Sequence, residues 1–524
     1  MNPNSEYSPR PYHQARWNEP IIYELGSPGE RGILPPGIDP AIESETPNWE
    51  THIPASMHRE ALPNLPEISQ VEVLRHYLRL SQENLAAGLV PDIGMATSTM
   101  KYNPPVNEKL ASDPKLAALH PLQPEETIQG ILEIMYKLEQ FLKEISGMDR
   151  VSLQPRAGSQ AIYANIAMIR AYHARRGQGE QRDEIITTIF SHPSDAAAPS
   201  TAGYKIITLY PEENGYPSLQ ALKVAVSERT AGLFITNPDD TGIFNPYIRD
   251  FVDVVHAVGG LCAYDQANAN GLLGIARARE AGFDLCHFNL HKTFSTPHAS
   301  GGPATGASCV IQALTPFLPT PTVEFDGERY YLDYDRPDSI GKIGQFYGVA
   351  TNFVRAYAWI MMLGAKGLRE AARVAVLNNN YLMKKALEIP GVTTSFEPGI
   401  PRIEQVRYSW ETLTRETGLS IEDIARRAAD YKMHFFMSHH PFVVPDPATL
   451  EPTESYSKRD LDEVAAAWAS IADEARHQPD LVRKAPHHAP IHQMRDQQAW
   501  LTDPAKWAPT WRAYRKKHGQ EREQ

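Results

Sequence analysis

Short β-rich runs alternate with helical stretches between residues 151 and 310, and this alternation constrains the fold more than any other feature of the 524-residue chain. The runs are "VSLQP", "EIITTIF", "KIITLY", "GLFITN", "LCAYD" and "DLCHFNL". Helical stretches separate most of them, for example residues 218–229 and 247–258. Strands that alternate with helices form a largely parallel sheet with helices packed on its faces. The sequence therefore predicts an α/β domain.

The remaining segments are arranged around this domain, because 524 residues are too many for one hydrophobic core. Residues 1–66 are rich in proline and lack periodicity, which predicts an extended N-terminal arm. We expect the large α/β domain to span residues 67–340 and a smaller α+β domain to span residues 341–490. Residues 491–524 form a C-terminal tail that ends in the charged run "RAYRKKHGQEREQ".

Two helices are expected before the alternating region. The first lies in "ISQVEVLRHYLRLSQENL", where Ser69 and Glu72 have the spacing of a capping box. The second begins near Pro124, keeps apolar residues at helical spacing, and is expected to end at Gly147.

Composition excludes several classes of function. The formal net charge of −12 argues against a nucleic-acid-binding surface, because such a surface needs a basic patch. Three cysteines, Cys262, Cys286 and Cys309, are too few and too scattered for a disulfide framework or a zinc site, so no metal is expected. The N-terminus has no apolar core of signal-peptide length, and no window approaches a membrane span. We therefore expect a soluble, cytoplasmic protein with no membrane partner.

The candidate site residues directly follow the β-rich runs, because ligands of such sheets bind beyond the carboxyl ends of the strands. They are Ala157 to Gln160, His192, Thr236, Asp265 and Lys292. Lys292 is unusual among them, because it follows a run with the pattern of a buried strand and lysine is rarely fully buried. Such a lysine either extends to solvent or reacts with a ligand.

Three of these groups together fit a pyridoxal phosphate site. Lys292 supplies an amine for a Schiff base, and Asp265 supplies a carboxylate for the pyridine nitrogen. The turn 157–159 between a strand and a helix offers backbone N–H groups to the phosphate. Each feature alone also fits a bland alternative: a surface lysine, a helix cap and an ordinary turn. Their occurrence in the order cradle, aspartate, lysine favours the cofactor site.

Longer stretches carry a resemblance to a known family. They include "RWNEPIIYELGSPGERG", "TMKYNPPVNEKL", "LHPLQPEETIQG", "YDQANANGLLGIAR", "NLHKTFSTPH" and "LEPTESYSK". With these stretches the chain resembles the P-protein of the glycine cleavage system, in particular subunit 2, the lysine-bearing half of aminomethyl-transferring glycine dehydrogenase. The resemblance implies an α/β enzyme of pyridoxal phosphate fold type I, with a mostly parallel seven-stranded-type sheet and a smaller C-terminal α+β domain.

The resemblance also assigns roles to single residues. It implies that Lys292 is the Schiff-base lysine, that Asp265 contacts the pyridine nitrogen, and that the imidazole of His192 stacks on the cofactor ring. The remaining residues that it assigns to cofactor binding are Gly158, Ser159 and Gln160 in the phosphate-binding turn, and Thr236 and His291 as further contacts. We expect the pocket around Lys292 to be apolar, because a dry apolar pocket keeps an amine uncharged and nucleophilic.

Two catalytic functions remain open. In the first, the enzyme releases CO₂ from glycine and passes the aminomethyl group to a separate lipoyl carrier protein, together with a lysine-free subunit 1. In the second, the chain is a homodimeric decarboxylase, lyase or transferase for another amino acid. The presence of Lys292 and Asp265 counts against a third possibility, a non-catalytic structural subunit.

Departures from the family pattern leave the substrate open. They fall at Pro193–Ala198, Ala96–Ser98, Ala299–Ser300 and Arg407. A new arginine could bind a second substrate carboxylate. If the substrate is not glycine, we expect Arg407, Asp195 and Ser194 to contact its additional atoms.

Overall fold

The structure is a computed structural model, and it describes residues 9, 12–17, 19–45, 47–59, 61, 65–84, 90–91, 93–94, 101–296, 304–396, 398–435, 437 and 443–489. The departures at 96–98 and 299–300 lie outside the described residues. The chain divides into two compact units, one of residues 1–10 and 87–483 and one of residues 11–86 and 484–524. The domain boundaries expected at residues 66, 340 and 490 stay predictions.

In its described residues, the smaller unit contains two α-helices, α1 (Pro40–Glu45) and α2 (Gln70–Gln82). Helix α2 begins where the sequence predicts, because the Ser69 hydroxyl accepts a hydrogen bond from the backbone N–H of Glu72 at 3.3 Å. The buried carboxylate of Glu19 holds the helix by contacting His76 Nδ1 at 2.9 Å and Arg79 Nη1 at 3.2 Å. Its apolar residues Val71, Leu74, Tyr77 and Leu78 are exposed.

The larger unit is built on a sheet of seven strands. The strands are β1 (Arg150–Ser152), β2 (Glu184–Thr188), β3 (Lys205–Leu209), β4 (Thr230–Thr236), β5 (Leu261–Gln266), β6 (Leu285–Asn289) and β7 (Gly306–Val310). Their order is β1-β7-β6-β5-β4-β2-β3, and only β7 runs antiparallel to its neighbours. Six strands coincide with the predicted β-rich runs. The seventh, "GASCV", lacks the β-branched pattern that marked the others.

Helices cover both faces of this sheet. The helices of this part of the chain are, in order, α3 (Pro105–Ala111), α4 (Pro114–Ala117), α5 (Gln129–Ser146), α6 (Gly158–Arg175), α7 (Ser194–Thr201), α8 (Leu219–Ala225), α9 (Ile248–Ala257) and α10 (Leu290–Thr293), of which α5 to α10 contact its strands. Helix α5 ends at Gly147, as predicted, because this glycine has a φ of +73°. Neighbouring strand residues pack on opposite faces, since Leu285 joins the layer of α6 and Cys286 joins the layer of α5. The sheet is therefore buried on both sides, as a parallel sheet requires.

The C-terminal part of this unit has a separate apolar core. Strands β8 (Thr322–Phe325) and β9 (Tyr330–Asp333) form a ribbon before it, and β10 (Thr393–Thr394), β11 (Val406–Ser409) and β12 (Pro447–Leu450) form a small antiparallel sheet. Its helices are α11 (Ala350–Leu387), interrupted at Gly364, then α12 (Glu411–Thr417), α13 (Ile421–Asp430), α14 (Lys458–His477) and α15 (Pro479–Arg483). Trp410, Trp468 and Tyr408 fill the core between them. No helix in the described part of the chain is long and apolar enough to cross a membrane.

Candidate active site

The predicted strand-end residues meet at one edge of the seven-stranded sheet. Thr236 pairs with Asp265 across β4 and β5, and Asp265 pairs with His287 across β5 and β6. Lys292 lies in α10, the single helical turn that directly follows β6. Asp265 and Lys292 were both predicted from their positions at the ends of β-rich runs, and the two strands that carry or precede them are adjacent.

Asp265 is a buried carboxylate with one unused oxygen. Its Oδ1 accepts a hydrogen bond from the backbone N–H of Ala267 at 2.8 Å and lies 3.2 Å from His287 Nε2. No nitrogen or hydroxyl donor of the described residues reaches its Oδ2. Burial alone would raise the pKa of Asp265, but electrostatic attraction to His287, His192 and Lys292 outweighs burial and lowers it. Asp265 is therefore held in its charged form.

Asp195 is the second buried carboxyl at this edge. Its Oδ2 accepts a hydrogen bond from the Thr236 hydroxyl at 3.1 Å, and its carboxyl is a hydrogen-bonding neighbour of Asp265. Burial and the negative charge of Asp265 raise the pKa of Asp195 well above its ordinary value. Because two adjacent buried carboxylates repel each other, the proton resides on Asp195 and the negative charge on Asp265. This arrangement leaves Asp195 enclosed by the protein rather than facing a substrate.

A hydrogen bond joins His192, in the loop after β2, to Thr236 at the end of β4. The backbone N–H of His192 donates to Thr236 Oγ1 at 3.1 Å. The ring Nδ1 of His192 accepts from the backbone N–H of Ser194 at 3.1 Å, which orients the imidazole at the start of α7. The hydroxyl groups of Ser194 and Ser159 lie 2.8 Å apart, so the start of α7 meets the start of α6.

The start of α6 is the predicted phosphate cradle. Ala157 precedes the helix in an extended conformation and provides no side-chain cap, so the first backbone N–H groups remain available to an anion. A Cβ on Gly158 would lie 2.5 Å from the amide of Asn289, which explains the glycine. Gln160 already bonds main-chain groups: its Oε1 accepts from Arg156 N–H at 2.8 Å, and its Nε2 donates to Ile343 O at 2.7 Å.

Lys292 is buried among acidic groups rather than in an apolar pocket. Lys292 is 9% exposed, and its amine forms no hydrogen bond or ion pair with the described residues. Its positive charge acts on three buried carboxyls, Asp265, Glu404 and Glu451. The expectation of an apolar pocket was therefore wrong, because loops of the C-terminal part bring acidic side chains to the lysine.

Glu404 and Glu451, here called the carboxyl pair, were not predicted from the sequence. Glu451 follows β12 and is completely buried, and its Oε1 accepts hydrogen bonds from Asn268 Nδ2 at 2.5 Å and Asn270 Nδ2 at 2.8 Å. Burial and the charge of Glu451 raise the pKa of Glu404 well above its ordinary value. One oxygen of each, Glu404 Oε1 and Glu451 Oε2, is buried without a partner among the described residues.

Contacts around the carboxyl pair join four of the quoted sequence stretches. Lys101 Nζ lies 2.8 Å from Glu454 Oε2, three residues beyond Glu451. Ser295 donates to Tyr102 O at 2.7 Å, and Tyr102 N–H donates to the hydroxyl of Ser455 at 2.9 Å. The stretches "TMKYNP", "YDQANAN", "NLHKTFS" and "LEPTES" therefore converge at this site, and the presence of "LEPTES" among them was the one sequence signal for Glu451.

Two further predicted residues have partners in the protein. His291 Nδ1 lies 2.7 Å from Thr305 O and 3.0 Å from Thr305 N, so the ring fixes the start of β7. Arg407 is only 2% exposed, and its Nη2 lies 3.2 Å from Asp240 Oδ2. The Nε and Nη1 of Arg407 are buried without a partner among the described residues.

A separate cluster lies where β5 and β6 begin, at the other end of these strands. Ligand-type atoms of His256, Cys262 and Asp284 lie within 4.8 Å of one another, although no metal site was expected from the sequence. Asp284 Oδ2 contacts His256 Nε2 at 2.8 Å and accepts from the backbone N–H of Cys262 at 2.8 Å. The thiol of Cys262 faces Val252 O at 3.9 Å, and burial raises its pKa well above the ordinary value. These contacts account for the cluster without a ligand.

Comparison with known proteins places the chain in a family. Residues 371–489 match the family model described as glycine dehydrogenase, C-terminal domain. The probable glycine dehydrogenase (decarboxylating) subunit 2 of Pyrococcus abyssi is 44% identical over 490 residues, which cover 93% of this chain and 95% of the relative. The protein of the same name from Caldanaerobacter subterraneus is 40% identical, with coverage of 90% and 96%.

Solved structures show the same fold. The glycine decarboxylase (P-protein) of the glycine cleavage system, crystallised in inhibitor-bound form, aligns with a TM-score of 0.67 at 19% identity and covers 84% of this chain and 100% of its own. A sphingosine-1-phosphate lyase of Burkholderia pseudomallei aligns with a TM-score of 0.59 at 14% identity, with coverage of 82% and 97%. These neighbours confirm the predicted fold type I. The chain belongs to the glycine dehydrogenase (decarboxylating) subunit 2 family, a family of enzymes.

Proposed function

We propose that this chain binds pyridoxal 5′-phosphate and releases CO₂ from glycine as the lysine-bearing subunit of a glycine cleavage P-protein. The observation that carries the proposal is the buried Lys292, which follows the strand next to the one that holds a charged Asp265. The names of the relatives and the coverage of nearly their full length support the reaction and the substrate.

The residues present fit the cofactor. No nitrogen or hydroxyl donor of the described residues reaches Oδ2 of the buried, charged Asp265, so this oxygen can accept from a protonated pyridine nitrogen. The uncapped start of α6 offers N–H groups and a positive helix end to a phosphate, and Ser159 is exposed beside them. In this proposal Lys292 would hold the aldehyde carbon, His192 would contact the ring, and Gly158, Ser159 and Gln160 would hold the phosphate. Thr236 contributes by fixing the loop that carries His192, and His291 contributes by fixing the start of β7.

Each residue then has a physical task in the reaction. When bound, the protonated pyridoxal ring withdraws the electron pair that departing CO₂ leaves on the substrate carbon. Asp265 keeps its negative charge despite burial, so it would hold a proton on the ring nitrogen. Asp195 stabilises the negative charge of Asp265, because the proton that the two carboxyls share resides on Asp195. Thr236 fixes the orientation of Asp195 through a hydrogen bond. Burial of Lys292 excludes bulk water from the amine.

Partners are part of the proposal. A subunit 2 requires a subunit 1, and the aminomethyl group that remains after CO₂ release requires an acceptor, for which we propose the disulfide of a separate lipoyl carrier protein. The exposed apolar residues of α2 and of the arm before it, among them Ile33, Leu34 and Met57, support association with another chain. We also propose a cytoplasmic location.

One observation favours a second candidate, an amino acid that carries a second carboxylate. Arg407 has two buried nitrogens without hydrogen-bond partners among the described residues, and a substrate carboxylate could accept a hydrogen bond from one of them. Asp240 already balances the charge of this arginine, which counts against the second candidate. A titration of the twenty common amino acids, followed by absorbance and CO₂ release, separates glycine from such a substrate.

The direct test of the proposed reaction is exchange of labelled bicarbonate into glycine. The holoprotein is mixed with subunit 1 and a lipoyl carrier protein, and label in glycine is measured with and without each partner. We expect exchange that depends on the carrier and on glycine. A complete mixture that binds cofactor but exchanges no label, while another amino acid loses CO₂, would contradict the proposed substrate.

A further inference from the structure

The carboxyl pair has buried oxygens to which the proposed reaction assigns no role. Glu451 is 0% exposed, and its Oε1 is fixed by two amide donors, Asn268 and Asn270. Both asparagines belong to the loop that follows Asp265 along the chain. The same loop is tied to the lysine turn, because the backbone N–H of Ala269 donates to Thr293 Oγ1 at 2.9 Å. Glu451 is therefore positioned by the loop after Asp265, and this loop is itself bonded to the turn that carries Lys292.

The second oxygen of Glu451 is the unusual one. Oε2 is buried and has no hydrogen-bond partner among the described residues, although a buried polar atom without a partner is costly. Asn268 and Asn270 both reach Oε1, so neither compensates Oε2. An amine or ammonium group beside Lys292 would supply the missing donor.

The charged groups around Glu451 come from four segments. Lys292 lies on α10, Lys101 on the stretch before α3, and Glu404 on the segment before β11. Glu454 pairs with Lys101 at 2.8 Å and balances much of that charge. Burial raises the pKa of Glu451 to about 7, against the two asparagine hydrogen bonds and the positive charges of Lys292 and Lys101, which lower it. A carboxyl of this kind exchanges a proton efficiently near neutral pH.

We propose that Glu451 Oε2 accepts the proton of the incoming substrate ammonium group, which prepares the amine to displace Lys292. In this step one N–H bond of the glycine ammonium breaks and an O–H bond forms on Glu451. The electron pair of the broken bond stays on the glycine nitrogen. Carboxylate and ammonium become carboxylic acid and neutral amine, so charge and atoms balance. The inference rests on the proposed function, because it assumes an amino acid substrate and a cofactor bound to Lys292.

The test compares two nucleophiles in the assembled holoenzyme. Glycine carries a proton on its amine at neutral pH, whereas hydroxylamine is already uncharged, and absorbance reports the release of Lys292 from the cofactor with each. In Glu451→Gln we expect the reaction with glycine to slow about 10²-fold at pH 7, because a general base contributes at least that much. The reaction with hydroxylamine should keep its wild-type rate. The wild-type rate with glycine should rise with pH through about 7, and the variant should lose this inflection.

A second readout needs no cofactor. Infrared difference spectra of the cofactor-free protein between about pH 6 and about pH 8 should show a carboxyl band that titrates near the pKa of about 7, and Glu451→Gln should lack it. Glu451→Asp, which keeps a carboxylate, should recover part of the glycine rate and covers the case in which the glutamine variant does not fold. Glu422→Gln, an exposed glutamate of α13, is the matched control.

The outcomes separate this inference from the proposed function. An equal slowing with glycine and hydroxylamine in Glu451→Gln, or no slowing with either, would overturn the role of Glu451. A missing titrating band would overturn it as well. A wild-type holoenzyme that reacts with hydroxylamine but not with glycine would instead remove the proposed substrate, and a protein that takes up no cofactor would remove the proposed function itself.

Discussion

The two sides of the candidate active site are built from different parts of the fold and carry different charge. On the sheet side, Asp265 keeps its charge at the end of a central strand, between in-register residues of both neighbouring strands. On the other side, the carboxyl pair comes from segments next to β11 and β12, and burial raises the pKa of both glutamates. The comparison indicates that the sheet side holds a fixed charge, whereas the carboxyl pair is suited to exchange a proton.

The largest expected effect is on the sheet side, at Lys292. Lys292→Ala removes the only group in the proposal that binds the cofactor covalently, so bicarbonate exchange should fall below detection and the absorbance of the bound cofactor should shift to that of the free aldehyde. Lys109→Ala, at an exposed lysine of α3, is the control and should keep full activity. Substantial exchange by Lys292→Ala would place the reactive amine elsewhere.

The next effect tests the fixed charge. Asp265→Asn should still bind the cofactor through Lys292 but should lose about 10²-fold or more in exchange rate, because a neutral amide cannot hold the pyridine nitrogen protonated. Turnover and cofactor content are measured on the same preparation. Near-wild-type turnover would show that Asp265 only shapes the strand end.

A smaller effect is expected where the two sides meet, at Asn270. Asn270→Ala removes one hydrogen bond to Glu451, and a bond to a charged group is worth about 1.5–3 kcal/mol. Because that bond favours the charged form, its loss should raise the pKa of Glu451 by about one unit. The pH profile with glycine should therefore move to higher pH, and the rate at pH 7 should fall about fivefold, because the charged fraction of Glu451 falls from about one half to about one tenth. A lower rate with an unmoved profile would make Asn270 a purely structural residue.

The smallest effect on activity is expected at Asp195, which the sheet side holds neutral. An amide can accept from Thr236 and donate to Asp265, so Asp195→Asn should keep activity close to that of the wild type.

The same variant should change how stability depends on pH. The raised pKa of Asp195 means that its contribution to stability is fully present below its ordinary pKa of 3.8 and is lost as pH rises through the folded-state pKa. Asp195→Asn should therefore melt above the wild type at pH 8, and the difference should shrink toward pH 4. Equal melting temperatures at all pH values would mean that Asp195 is charged in the folded protein.

The sheet side could be predicted from sequence because a parallel sheet collects its strand ends at one edge. Six of the seven strands were visible as β-rich runs, and the residues after them, from Gly158 to Lys292, followed from that pattern together with the family resemblance. Gln160 was predicted from its position after a β-rich run and from the resemblance, whereas His291 was predicted from the resemblance alone. Both side chains bond main-chain groups in the structure. Their roles in cofactor binding stay predictions.

The carboxyl pair could not be predicted, because its position depends on long-range packing. Glu404 and Glu451 follow no periodic pattern, and each is a single acidic residue beside a short strand. They interact electrostatically with Lys292 because the C-terminal part of the fold brings Glu451 to the loop after Asp265. The apolar pocket expected around Lys292 was wrong for the same reason, since local sequence around "NLHKTF" carries no information about these loops.

Borohydride reduction followed by peptide mapping tests the central claim most directly, because the account depends on a cofactor bound to Lys292. The purified holoprotein is reduced, digested and searched for the modified peptide, with Lys292→Ala processed in parallel. We expect a yellow protein whose reduced cofactor is attached to Lys292 in the stretch "NLHKTFSTPH" and no adduct in the variant. An adduct on another lysine, or a protein that retains no cofactor, would contradict the account.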